Sequence, residues 1–266
     1  MKLSYVVLGI LIVVIVFYQL KPNQDTIFLC TTYLDCPKRD SWAMFQQGIN
    51  NILRHHSPQT LHRIHRWVVI NEYSPKPKEH WSNIVQTQYP FIEFIQKTKA
   101  QQGQAKSLNI LLTYIPNYKY WLHWEESWYP TRPFLQDAWN AMDTTTITQL
   151  QCTKNEKGVT DFANYAKTCN LSNICQIHHT YELGQALNQR LTTPQEIERS
   201  WPLYSLRPSL NRVSFYNFGN FSLQSFVSPY TSEYDFARRW YNKGGQKAIF
   251  ADGPVTRPST YISTHD

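Results

Sequence analysis

Apolar and polar positions along this chain fall into blocks whose period switches in a regular order. Thr26–Thr32 (TIFLCTT) is a short apolar run with the length and composition of a buried strand. A polar loop, Tyr33–Asp40, follows. Asp40 or Ser41 is placed to cap a helix on which Phe45, Ile49, Ile52 and Leu53 recur at helical spacing. Arg66–Ile70 predicts a second strand, broken at Asn71–Pro75, where Ser74-Pro75 marks a turn. A short helix around Trp81, Ile84 and Val85 leads to a third strand over Phe91–Gln96. Leu108, Leu111, Leu112 and Ile115 make another amphipathic helix, and Tyr118–Trp124 predicts a fourth strand. Strands alternating with helices of this length imply right-handed crossovers and a mostly parallel sheet, an α/β fold.

Beyond that strand the pattern loosens. Thr131–Met142 reads as helix and Thr144–Gln151 as strand, whereas 152–200 is polar and cysteine-bearing and reads as an insertion or long loop. Arg212–Tyr216 predicts a strand. Ser232–Lys243 predicts a helix with Phe236 and Trp240 four apart, stopped by Gly244-Gly245, and Lys247–Phe250 predicts a last strand. At the other end, Leu3–Leu20 is apolar and uncharged, and Lys21-Pro22 follows it in place of a small-residue cleavage site. Residues 1–21 are therefore expected to be an uncleaved transmembrane signal-anchor. The expected localisation is a single-pass type II membrane protein with its main domain in an ER- or Golgi-like lumen.

Composition narrows this picture in three ways. At 266 residues and 42% hydrophobic, the chain can bury one sizeable core or two small ones. A formal charge of +7 would suit phosphates, anionic lipid or nucleic acid, but no Lys/Arg block stands out, so no nucleic-acid partner is expected. The five cysteines leave at least one unpaired within a monomer. Cys169 and Cys175 are near enough to close a small loop, with Cys152 just upstream, but spacing alone does not set the pairing, and no pair has zinc-site spacing. Asn170-Leu171-Ser172 and Asn220-Phe221-Ser222 are glycosylation sequons, usable only in a lumen.

Candidate chemistry concentrates at Tyr118–Trp128 (YKYWLHWEESW), where an aromatic strand runs into Glu125, Glu126 and Ser127. Open α/β sheets bind ligands at the C-terminal ends of their strands, and two carboxylates there need water, a metal or a cation. A solvated turn is the plainer reading of the same residues.

The order of these elements resembles the nucleotide-sugar half of a GT-A glycosyltransferase, broadly family-2-like. In that family the fourth strand ends in Asp-x-Asp or Glu-Asp-Asp, echoed here as Glu125-Glu126-Ser127. Gly103–Asn109 (GQAKSLN) resembles the family's Gly-x-x-x-x-Arg-Asn stretch. Glu233-Tyr234-Asp235 with Arg238, Arg239 and Gly244-Gly245 resembles the acidic helix start that holds its base. The resemblance implies a Rossmann-like GT-A domain over residues 22–266, with a nucleotide-sugar half to about 130 and an acceptor half beyond it. Residues 152–200 have no counterpart in it.

What the resemblance implies for function is sugar transfer from a nucleotide-sugar donor to a glycan or glycoprotein acceptor, with inversion. Asp235 is the first choice of base and Glu233 the second. Thr31, Tyr33 and Glu72 are expected at the base and ribose, Lys106 and Arg239 at the diphosphate, and Asn109 and Glu125 among the other donor-binding residues. Mn²⁺ or Mg²⁺ would sit on Glu125, Glu126 and His265. Trp124, Trp128, Tyr129 and Trp201 are candidates to stack on sugar rings. Ser127 departs from the motif, since a hydroxyl is a poor ligand for a hard dication. Either Glu126 substitutes, or binding is metal-independent, or the domain is an inactive glycan-binding or scaffolding relative.

Overall fold

Thr26–Thr32 becomes β1, whose apolar side chains are buried on both faces of a central sheet in the computed structural model. The structure describes residues 24–153, 165–171, 173–179, 203–217, 219–221 and 229–258. β1 pairs in parallel with β2 (Ile64–Asn71) and with β4 (Tyr120–Glu125), and β3 (Ile92–Gln96) adds in parallel outside β2. On the far side of β4, β9 (Ser209–Arg212) runs antiparallel between it and β6 (Gln149–Gln151). β10 (Lys247–Phe250) is parallel to β6, and the hairpin of β7 (Tyr165–Leu171) and β8 (Ile174–His179) forms the edge. The order is β3-β2-β1-β4-β9-β6-β10-β8-β7.

Each face carries its own core. One holds Phe28, Trp67, Tyr120, Leu122 and Trp124 against α1 (Ser41–His55), α3 (Trp81–Gln88) and α5 (Leu135–Thr144). The other holds Ile27, Val68, Ile70 and Trp121 against α4 (Gln104–Leu112) and α6 (Pro229–Asn242). A one-turn helix, α2 (Pro58–Leu61), links α1 to β2. Asp40 caps α1, its carboxylate accepting from Ala43 N at 2.9 Å.

Several expectations are corrected. The sheet is mixed, not mostly parallel: beyond β4, β9 runs antiparallel to both of its neighbours, and the β7–β8 hairpin adds antiparallel to β10. The strand expected at Thr144–Gln151 is confined to Gln149–Gln151, because α5 runs on to Thr144. The strand expected at Arg212–Tyr216 lies earlier, at β9, and Val213–Phe215 is a 3₁₀ turn. Part of the presumed 152–200 loop is the β7–β8 hairpin, bridged by a Cys169–Cys175 disulfide, while Cys30, Cys36 and Cys152 are free and buried. The type II membrane placement is withdrawn: among the described residues no helix is long and apolar enough to cross a membrane. Residues 1–21, on which that expectation rested, lie outside the described residues, as do Trp201, His265 and the Ser172 and Ser222 ends of both sequons.

Helix α1 crosses the end of β4 at Gly48. A Cβ there would stand 2.7 Å from the main-chain oxygen of Trp128. Gly48→Ala should therefore lower stability. Overpacking of about 1–3 kcal/mol outweighs the roughly 1 kcal/mol gain in helix propensity. Urea unfolding of the variant checks this, with an unchanged or raised midpoint as the contrary result.

Candidate active site

Glu125 closes β4 beside Thr31 of β1, its registered neighbour on the same face. Its Oε2 accepts from Trp128 Nε1 at 3.0 Å and from Arg257 Nη2 at 3.1 Å. Arg257 also lies over the Trp128 ring, 4.0 Å from its centroid. The backbone sets this position. β11 (Val255–Thr256) pairs antiparallel with β5 (Tyr129–Pro130), and Thr131 N donates to Pro254 O at 2.8 Å. Glu126 turns inward instead. Its side chain is 7% exposed and is ion-paired at 2.5 Å with Arg39 of the β1–α1 loop, itself 6% exposed. Burial pushes the Glu126 carboxyl up despite Arg39, and Ser127 is buried beside it.

The expected nucleotide-binding residues divide by what they hold. Glu72 pairs with Lys97 at 2.8 Å and accepts from Gly103 N, while Lys97 Nζ donates to Gly103 O at 3.0 Å and Ser107 Oγ at 2.7 Å. The pair thus ties the ends of β2 and β3 to the start of α4. Lys106 folds back onto Ala100 O, and Asn109 clamps the Phe221 main chain through both its N–H and its carbonyl. Tyr33 stands where β1 leaves the sheet, its phenol pushed up by burial and then by Cys36, Asp35 and Glu72.

The two α6 carboxylates part company. Asp235 is on the helix flank, ion-paired with Arg239 at 3.0 Å, and Arg239 also donates to Asn220 O at 2.7 Å. Glu233 faces the sheet, where its Oε1 accepts from Leu206 N at 2.9 Å. The residue is half-buried but its carboxyl sits in low-dielectric surroundings. Burial first, and the charge of Glu125, raise it to about 7 against the pull of Leu206 N, Arg207 and Lys247. Lys247, with Nζ on Leu203 O, is lowered to about 7 by burial and Arg207.

Under α6 the registered strands β4, β9, β6 and β10 put His123, Ser209 and Gln151 in one polar row and Asn211, Gln149 and Lys247 in the next. All six are buried. Burial lowers His123 to about 4, so it is neutral there. Sequence reasoning did not find Arg39, Lys97, Arg257 or this polar row. A groove of about 510 Å³ opens elsewhere, at the N-terminal strand ends, lined by Arg63, Lys119 and Asp143 among others. Its cations are paired with Asp25 and Asp143, and it lies at the opposite end of β4 from Glu125 and Glu126.

No sequence-family model and no curated protein matches this chain. Solved structures do. S. aureus TarS 1–349 in complex with UDP-GlcNAc has a TM-score of 0.56 at 17% identity, covering 90% of this chain and 62% of that one. GalNAc-T7 with UDP, GalNAc and Mn²⁺ has 0.57 at 10% identity, covering 89% and 45%. The mannosyltransferase PcManGT from Pyrobaculum calidifontis with GDP-Man and Mn²⁺ has 0.52 at 14% identity, covering 86% and 59%. This chain thus has the GT-A-type fold of nucleotide-sugar glycosyltransferases, and it spans less than two thirds of the length of each of these neighbours.

The described donors do not fit the expected Mn²⁺ or Mg²⁺. Glu126 is committed to a buried guanidinium, Glu125 shares its Oε2 between an indole and Arg257, and Ser127 offers a buried hydroxyl. Freeing Glu126 would take from the buried Arg39, which cannot deprotonate, the carboxylate that balances its charge. Among the described residues no group of three or more His, Cys, Asp or Glu could hold a metal ion.

A carboxyl raised from 4.5 to about 7 on folding contributes full stability below about pH 4.5 and loses it as pH rises to about 7. Glu233→Gln removes that loss. Urea unfolding should give near-equal stability near pH 4 and a variant more stable by about 1–3 kcal/mol near pH 8. The opposite trend of Lys247 cancels to first order in the difference. Equal pH profiles would show that Glu233 titrates normally.

Proposed function

We propose that this chain is a glycosyltransferase that moves a sugar from a nucleotide-sugar donor to a glycan or glycoprotein acceptor with inversion, Glu233 being the general base. The observation that carries this reading is the pairing of the GT-A-type fold with a carboxylate on α6 held near neutrality within reach of the charge at the end of β4. A base with a pKa near the operating pH is half ionised, free to accept a proton, and strong enough to pull it. Asp235, the first choice on sequence, is ranked second, because its ion pair with Arg239 holds it on the helix flank.

In this reading the donor lies across the C-terminal ends of β1, β2 and β4, with Thr31, Tyr33 and Glu125 along its path. Glu72, Lys97 and Asn109 shape the wall without necessarily touching it, since their polar groups are engaged with the protein. Glu233 takes the acceptor hydroxyl proton as that oxygen attacks the anomeric carbon. The pairing of both motif carboxylates with arginines favours a second reading, an inactive glycan-binding module.

A screen with UDP- and GDP-sugars separates the two. Glu233→Gln should cut turnover by about 10²–10⁴-fold with little change in nucleotide affinity, and Asp235→Asn should cost less than about tenfold. The reverse ranking would return the base to Asp235. Nucleotide-sugar binding by wild type without transfer to any acceptor, or hydrolysis, would favour the binding module.

A further inference from the structure

We propose that Arg257 takes the place of a divalent cation in this site, meeting the diphosphate of the departing nucleotide. The inference rests on the nucleotide-sugar reading above. It starts from the mismatch between the Mn²⁺ held by two structural neighbours and the donors among the described residues of this chain. At the end of β4 the two carboxylates face two guanidinium groups, so the motif presents no net negative charge with which to attract a dication.

Of the two arginines only Arg257 can reach a ligand. Arg39 is enclosed, 6% exposed, and also donates to Ser41 Oγ at 3.3 Å. Arg257 is 24% exposed at the rim, in contact with Glu125. Its position does not depend on side-chain chance. The β5–β11 ladder carries the chain over the end of β4, Val255 N donates to Cys152 O at 3.2 Å, and the Trp128 ring supports the guanidinium plane. A guanidinium forms paired hydrogen bonds to phosphate oxygens and keeps its charge at any working pH.

A diphosphate therefore exchanges with Glu125 as the partner of Arg257. This brings a fixed positive charge to the leaving group and frees Glu125 toward donor hydroxyls. In the transfer step the acceptor oxygen bonds to the anomeric carbon as the bond from that carbon to the diphosphate oxygen breaks. The electron pair leaves on the diphosphate, where Arg257 offsets it, and the acceptor proton goes to Glu233.

The test is calorimetric titration of the full chain with UDP and with GDP, in EDTA and in Mn²⁺. Wild type should bind one of them with affinities within about twofold in the two media. Arg257→Met should weaken binding by about 10–100-fold, the worth of one or two charge-assisted hydrogen bonds, and Arg257→Lys should fall between them. Circular dichroism melts confirm that both variants fold. If Arg257→Met does not fold, the decision passes to Arg257→Lys and to the wild-type comparison in EDTA. Nucleotide binding that EDTA abolishes and Mn²⁺ restores would overturn the proposal, as would unchanged binding by folded Arg257→Met. Failure of wild type to bind any nucleotide diphosphate in either medium overturns the nucleotide-sugar reading itself, and this proposal with it.

Discussion

Burying a carboxylate at the end of a central strand is the constraint on which much of this structure turns. Glu126 is nearly closed off from water, and losing its partner there would cost about 3–5 kcal/mol. Arg39 answers that charge and, in doing so, anchors the whole β1–α1 loop to the end of β4. Trp128 then folds back so that its indole reaches Glu125, and its own main-chain oxygen accepts from Trp124 Nε1 at 3.2 Å. That return brings the turn against α1 at Gly48, where a side chain would collide. One charge pair thus orients the loop, the turn and the first helix together.

The second layer of the site is set by helix geometry. Residues two apart on an α-helix point about 200° away from one another, so Glu233 and Asp235 cannot serve the same place. With Phe236, Ala237 and Trp240 committed to the core, Glu233 falls on the sheet side and Asp235 on the flank, within reach of Arg239 one turn on. Arg239 in turn holds Asn220, and Asn109 of α4 holds Phe221. Residues that look like donor ligands in the sequence are therefore spent on joining α4, α6 and the segment between β9 and α6.

The first half was legible because its strands are buried on both faces and its helices keep an apolar stripe, so period and length agree. Thr26–Thr32 matches β1 residue for residue, and Tyr118–Trp124 differs from β4 only at its ends. Beyond residue 130 the signal fails for a physical reason. β6 and β9 are three and four residues long and turn Gln149, Gln151, Ser209 and Asn211 inward, where Gln149 Nε2 donates to Asn211 Oδ1 at 3.0 Å, Asn211 Nδ2 to Ser209 Oγ at 3.1 Å and Gln151 Nε2 to Thr153 Oγ1 at 2.9 Å. A strand whose buried face is polar reads as loop by any hydrophobic pattern. The carboxylates of the site were legible at the strand end and helix start. Their partners were not, because Arg39 lies 87 residues from Glu126 and Arg257 lies 132 from Glu125, and nothing local to either arginine marks it.

The charge balance that results bears on how such a site can work without rebuilding itself. In the proposed exchange a phosphate oxygen replaces Glu125 at Arg257, one charge-assisted pair giving way to another in the same place. Releasing Glu126 from Arg39 would have no such compensation, because that guanidinium is walled in by the loop it anchors. Burial displaces Glu233 and Lys247 toward pH 7 from opposite directions. A negative charge leaving Glu125's neighbourhood eases ionisation of Glu233, and one arriving with a diphosphate opposes it. In the proposed reaction Arg257 offsets that arrival only by moving from the carboxylate to the phosphate as the donor seats, which would couple donor binding to the ionisation of Glu233.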